Sequence, residues 1–222
     1  MALFGIAIAL ANLAGGSTWP VWVGTLIAPL ILGGWQIRQG NLSDLKLREQ
    51  VERDLSSRNR ELCEANILEA LRQGMRIMAP SAPGTRSNLM LIDDDNRLFI
   101  AYHLNMADAP DHGVRLDKYQ GCAGHAWALG EQAVADLESV PEGELRRSWK
   151  LTPDQIAMTS QIKSMICTPV RHPRHRDAIV GVFSLDSARP LAETGLDADE
   201  TAEEALKVAE VLGRLLLTGG II

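Results

Sequence analysis

Charge is missing from the beginning of this chain. No Lys, Arg, Asp or Glu occurs before Arg38, and such a run is too apolar for an ordinary water-facing segment. The same absence removes the basic n-region that a cleaved secretory leader needs. Cysteine is scarce: Cys63, Cys122 and Cys167 form no C-x-x-C pair and no disulfide framework. They fit a reducing compartment, as small buried side chains. The five histidines are scattered, and no cluster with metal-ligand spacing appears, so no metal is expected. A formal net charge of −6 argues against nucleic acid as the main partner.

What fills residues 1–37 is apolar sequence in two pieces. Residues 2–14 are followed by a break at Gly15, Gly16, Ser17 and Thr18, then by residues 19–37. As a helix the second piece is roughly 28 Å long, enough to cross the hydrocarbon of a bilayer, and the first is roughly 20 Å. Trp19, Trp22 and Trp35 stand near the ends of the second piece, where indole rings favour the headgroup region. We therefore expect residues 1–37 to form a membrane anchor of one or two short helices. Arg38, Lys46, Arg48 and Arg53 follow directly, so the positive-inside bias places the remainder on the cytoplasmic side of the inner membrane.

Residues 38–64 read as an amphipathic linker helix. Gly and Pro are absent from residue 41 to Gly74, and charges of both signs alternate from Asp44 to Asp54. Val51, Leu55 and Leu62 suggest a short seam for a parallel dimer, interrupted by Arg58. From Ala65 the stripe Ile67, Leu68, Leu71, Met75 and Met78 predicts the first helix of a globular domain over 65–218, leaving 219–222 as a tail. Residues 87–92 and 97–104 are strand-like and joined by Asp93, Asp94, Asp95 and Asn96, a hairpin turn rather than a cation site. A Gly-rich entry at residues 121–124 opens a short helix that Gly130 ends. Residues 132–136, 164–170 and 178–185 predict further strands, Thr152-Pro153 starts a helix, and residues 200–217 form a closing one. This order means an α+β domain with an antiparallel sheet.

Four stretches carry a resemblance. They are Tyr119-Gln120-Gly121-Cys122-Ala123-Gly124-His125-Ala126-Trp127, Ala135-Asp136, Ile162-Lys163-Ser164-Met165-Ile166-Cys167-Thr168-Pro169-Val170, and Ile179-Val180-Gly181-Val182-Phe183-Ser184-Leu185-Asp186-Ser187. In order and spacing they resemble a GAF domain, from about Ala65 to Thr218. The resemblance implies a sensory fold with an antiparallel sheet, helices on one side and a ligand pocket on the other. It also implies pairing of the first and last helices in a homodimer or higher oligomer. Tyr102, His103, Trp127, Asp136 and Trp149 are the expected ligand-binding residues: aromatic surface with a few polar groups, as small-ligand sites have. A small molecule or a nucleotide is the expected ligand, although the N-K-x-F-D-E signature of cyclic-nucleotide members is absent. One enzymatic branch of the family reduces free methionine sulfoxide, and Cys122 stands where that branch has a cysteine. Its partner cysteines do not match, so no catalytic residue is expected. The basic loop at residues 171–176 offers contacts for a phosphate or for anionic headgroups.

Three functions follow from these residues. The first is a membrane-anchored, non-catalytic GAF sensor acting on a partner. The second is a ligand-triggered membrane-disrupting effector of an antiphage type, suggested by Gly24, Gly33 and Gly34, which permit close helix contact. The third is a free methionine sulfoxide reductase-like enzyme.

Overall fold

The computed structural model describes residues 19–79 and 84–222, with side chains from Lys46 onward. Residues 1–18 of the expected anchor lie outside the described residues, as do the side chains of its remainder. Among the described residues, no helix is long and apolar enough to cross a membrane. Helix α1 runs over Trp19–Met78, and the chain divides into two units, Met1–Arg58 and Asn59–Ile222. In the first unit Leu47, Val51 and Leu55 are exposed, and Arg53 pairs with Glu49 one turn away. Such exposed pairs contribute only a few tenths of a kcal/mol, about 0.3–0.5.

The second unit is built on one sheet. Its elements are β1 (Arg86–Ile92), β2 (Leu98–Leu104), a 3-10 turn (Pro110–Gly113), β3 (Arg115–Leu116), α2 (Gly121–Leu129) and β4 (Ala133–Asp136), followed by α3 (Glu142–Arg147), α4 (Pro153–Thr159), β5 (Ser164–Arg171), β6 (Ile179–Ser187), α5 (Leu191–Thr194) and α6 (Asp199–Thr218). The six strands lie in the order β3-β2-β1-β6-β5-β4, and every pairing is antiparallel. This is the α+β, GAF-like arrangement that the order of elements predicts.

Alternation along the strands gives the sheet two apolar faces. Leu89, Leu91, Ile166, Phe183 and Leu185 pack with Ile67 and Leu71 of α1 and with Leu212 and Leu216 of α6. The stripe that begins at Ile67 is therefore core. Met90, Ile100, Cys167 and Val182 point the other way, against Ala123, Ala126 and Trp127 of α2. Two covered faces explain why β5 and β6 read as near-continuous apolar runs.

Local signals in the sequence locate the turns. Asp93 N–H bonds Arg97 O, Asn96 N–H returns to Asp93 O, and Asp93 Oδ1 accepts from Arg97 N–H at 2.8 Å. Asn96 takes the left-handed conformation, φ 60°, which Asn tolerates. The Asp-rich stretch thus bonds its own backbone. Thr152 and Gln155 form a reciprocal capping box at the start of α4, with Pro153 in its first turn.

Candidate functional site

On the α2 side of the sheet lies a cavity of about 70 Å³. Its floor is sheet: Asn88 and Met90 of β1, Ile100 of β2, Met165 of β5, and Ser184 and Asp186 of β6. Cys122 and Ala123 of α2 close one side, and Trp149, Leu151, Gln155 and Ile162 close another. The α2 wall sits close because Gly124 has no side chain: a Cβ there would meet Asp117 O at 2.4 Å. Gln120 ties the wall to the α3–α4 segment. Its Nε2 donates to Lys150 O and to Gln155 Oε1, each at 2.9 Å.

The lining is mostly apolar, with Gln155 and Thr159 on α4 and a charged end at Asp111 and Asp186. There Arg86 Nε donates to Asp186 Oδ1 at 2.5 Å. Its two Nη groups donate to the two oxygens of Asp111 at 3.0 and 2.8 Å. Arg86, Asp111, Asp186 and Asn88 are all buried. One guanidinium therefore faces two carboxylates, leaving one negative charge over. Burial pushes the Asp186 carboxyl up to about 6, and the neighbouring Asp111 adds to that push while Arg86 opposes it. Asn88 Nδ2 donates to Asp186 Oδ2 at 3.4 Å and to Met106 Sδ at 3.7 Å. Its Oδ1 is buried with no partner among the described residues.

The thiols sit beside this cavity. Cys122 lines it and donates to Ala133 O at 3.4 Å. Cys167 shares a hydrogen bond with Ser184 Oγ at 3.3 Å. Interaction with the Cys167 side chain, and then burial, raise the Cys122 thiol well above its ordinary value. Cys122 is thereby held as a neutral thiol at pH 7, the opposite of an activated nucleophile.

Of the five expected ligand-binding residues, Trp149 alone lines the cavity. It also packs its ring 5.6 Å from that of His125. Trp127 is buried in the core next to α2's own alanines, with Lys118 Nζ 4.9 Å above its ring. Tyr102 packs into the opposite cluster, with Ile67 and Leu71. Burial, followed by the nearby Glu64 and Cys63, raises its phenol. A bulge explains the placement. Leu89 pairs with Tyr102 and Met90 with Ile100, so Ala101 is an extra residue and Ala101 and Tyr102 share one face. His103 turns back the other way but meets His112 edge-on at 4.6 Å, and desolvation followed by that neighbour lowers its pKa. Asp136 ends β4 opposite Ser164, with Oδ1 buried and unpartnered among the described residues. In the basic loop, Arg171 is occupied by Gly130 O at 2.5 Å and Arg176 O at 2.8 Å. No group of three or more metal-ligating side chains occurs among the described residues.

No family model matches the chain, and no curated protein matches it. Solved structures do. A type II free methionine-R-sulfoxide reductase from Thermoplasma acidophilum is 16% identical, covering 71% of this chain and 94% of its own, with a TM-score of 0.51. The free methionine-R-sulfoxide reductase from Neisseria meningitidis, in complex with its substrate, is 20% identical over 76% of this chain and 90% of its own, with a TM-score of 0.50. The GAF domain from an Acinetobacter phosphoenolpyruvate-protein phosphotransferase is 14% identical over 78% of this chain and 96% of its own, with a TM-score of 0.51. At these identities the likeness is one of fold: the second unit has a GAF-like fold.

Proposed function

We propose that this protein is a membrane-anchored, non-catalytic sensor whose GAF-like unit binds a small molecule in the cavity between the sheet and α2. The partly open, mostly apolar cavity with a charged end carries this reading. Ligand pockets of this kind combine an apolar lining with a few convergent polar groups. The burial of both thiols, with Cys122 held neutral, supports a binding role over a catalytic one. At about 70 Å³ the cavity holds roughly five water-sized groups, so a small metabolite fits it better than a nucleotide. The uncharged run before Arg38 supports the anchor. Output then passes to a partner protein or through self-association of the long helix, whose Leu47, Val51 and Leu55 are exposed. The test has two parts. The full chain should pellet with membranes and dissolve only in detergent, and mass spectrometry of the purified chain should show a stoichiometric small molecule. A full chain that remains in the supernatant as a monomer would sink the anchored reading.

A second reading rests on Cys122 lining the cavity with Cys167 beside it. Two thiols can reduce a sulfoxide to a sulfide, the pair becoming a disulfide and the oxygen leaving as water. The fold neighbours that are free methionine-R-sulfoxide reductases favour testing it. Turnover of free methionine sulfoxide that persists in Cys122→Ser rules it out.

A further inference from the structure

We propose that the cavity selects a small amphipathic cation, a primary amine on a short branched hydrocarbon body, whose N–H groups meet Asp186 and Asn88. This rests on the ligand-binding reading above and names the chemistry of the same site.

Among the described residues, the unpartnered group at the polar end is an acceptor, Asn88 Oδ1. Three of the five guanidinium N–H groups of Arg86 donate to Asp111 and Asp186, and Arg86 itself lies behind the cavity lining rather than in it. Both Asp111 oxygens accept from Arg86. The orientation of the Asn88 amide is fixed chemically. Its NH2 points at Asp186 Oδ2, and the flipped amide would set two acceptor oxygens against each other. The group left over is thus an acceptor, Asn88 Oδ1, buried and unpartnered among the described residues, on a side chain that lines the cavity. An unmet buried acceptor costs about 1–3 kcal/mol, and an N–H donor recovers it. The charges of Arg86, Asp111 and Asp186 sum to minus one in a buried cluster. A cation completes that sum, whereas a carboxylate or phosphate would add a second uncompensated charge.

The rest of the ligand is dictated by the other walls. Met90, Ile100, Leu116, Trp149, Leu151 and Met165 present hydrocarbon and one aromatic ring. A body of four or five carbons fits a cavity of about 70 Å³. Specificity against the wrong charge is then built into the end, and specificity for size into the walls.

Three probes of one shape separate the outcomes: 3-methylbutylammonium, 3-methylbutan-1-ol and 3-methylbutanoate. Each is titrated into the full 222-residue chain in detergent. Heats are read by calorimetry, and binding is located by the methyl resonances of Met90 and Met165. The ammonium should bind at least tenfold tighter than the alcohol and shift both resonances, and the carboxylate should not bind. Asp186→Asn should weaken the ammonium tenfold or more while leaving the alcohol unchanged, and Asn88→Leu should weaken it by a smaller factor. If the carboxylate binds as well as the ammonium, the charge inference is overturned and the cavity survives as a ligand site. If none of the three moves the Met90 and Met165 methyls, the ligand-binding reading falls and the inference with it. The comparison of the three probes in the unmodified chain stands even if a variant does not fold.

Discussion

Arg86 holds Asp186 through Nε at 2.5 Å, across the β1–β6 pairing in which the two residues are direct register partners. The same guanidinium turns its other edge to Asp111 in the 3-10 turn. One side chain thereby fixes the start of β1 and the end of β6 to the 3-10 turn. Replacing it, as in Arg86→Leu, leaves two buried carboxylates without a counter-charge. Removing one member of a buried ionic group typically costs about 3–5 kcal/mol. Urea unfolding at pH 7.5 should register a loss of that size. At pH 5 the loss should shrink, because the orphaned carboxylates can take up protons.

Asp186 itself gives the protein an unusual acid response. Its pKa is raised from 3.8 to about 6 in the folded chain, so the folded state binds that proton more tightly than the unfolded one. The charged form is disfavoured only in the fold. The destabilisation is therefore fully present above pH 6 and relieved as pH falls from 6 towards 4. Between pH 7 and pH 5 this group adds on the order of 1 kcal/mol of stability. Arg86 and Asp111 are the charges that face it, and Asp186→Asn removes the effect while leaving the Arg86–Asp111 pair. Urea midpoints of the two proteins should converge or cross on acidification. A wild type that loses stability over this range as fast as Asp186→Asn would refute the assignment.

Elements with local signals stand where the sequence puts them. The Asp-rich turn, the Gly121–Leu129 helix and the Thr152 cap each depend on residues within a few positions of one another. The charged centre has no such signature: Arg86 lies 25 positions from Asp111 and 100 from Asp186, and only the sheet brings them together. Asp186 was visible as a motif residue at the end of an apolar strand. Arg86, at the start of β1, and Asp111, in the 3-10 turn, have no pattern of neighbours in sequence that marks them. Tyr102 and His103 adjoin in sequence, so strand alternation already sets them on opposite faces. The bulge at Ala101 then decides that Tyr102 faces the long helices, and nothing in composition marks a bulge without its partner strand. Composition does not separate Trp127 in the core from Trp149 at the cavity, because both surroundings are apolar.

Close backbone approach yields a further prediction. At Gly181, which closes the β1–β6 register opposite Leu91, a Cβ would lie 2.3 Å from Met90 O and 3.1 Å from Leu91 Cδ2. The nearest atom is backbone, so no side chain can rotate away. Gly181→Ala must spread β1 from β6, the strands that carry Asn88 and Asp186. Overpacking of this kind costs roughly 1–3 kcal/mol, and the rigid neighbour places this case at the upper end. Chemical denaturation measures that loss. Amide exchange should show weakened protection on both strands, centred on Met90 and Val182. Unchanged protection there would mean that the pairing is looser than the register implies.

The thiols provide the sharpest separation between a binding protein and a thiol enzyme. Cys63 donates to Leu215 O at 3.0 Å, and burial followed by the charge of Glu64 raises its pKa. Cys122 is raised further by Cys167 and by burial, and all three side chains are buried. Reaction with a disulfide reagent needs an exposed thiolate, and the native fold buries all three thiols and raises Cys63 and Cys122. In native buffer at pH 7.5 the protein should therefore react with Ellman's reagent only as fast as it opens. In urea above the unfolding midpoint, three equivalents should appear at once. Cys122→Ser, at the rim of the cavity, should leave the slow native reaction unchanged. A rapid native equivalent that disappears in this variant would show an accessible thiolate in the cavity, and would shift the balance from sensor to reductase.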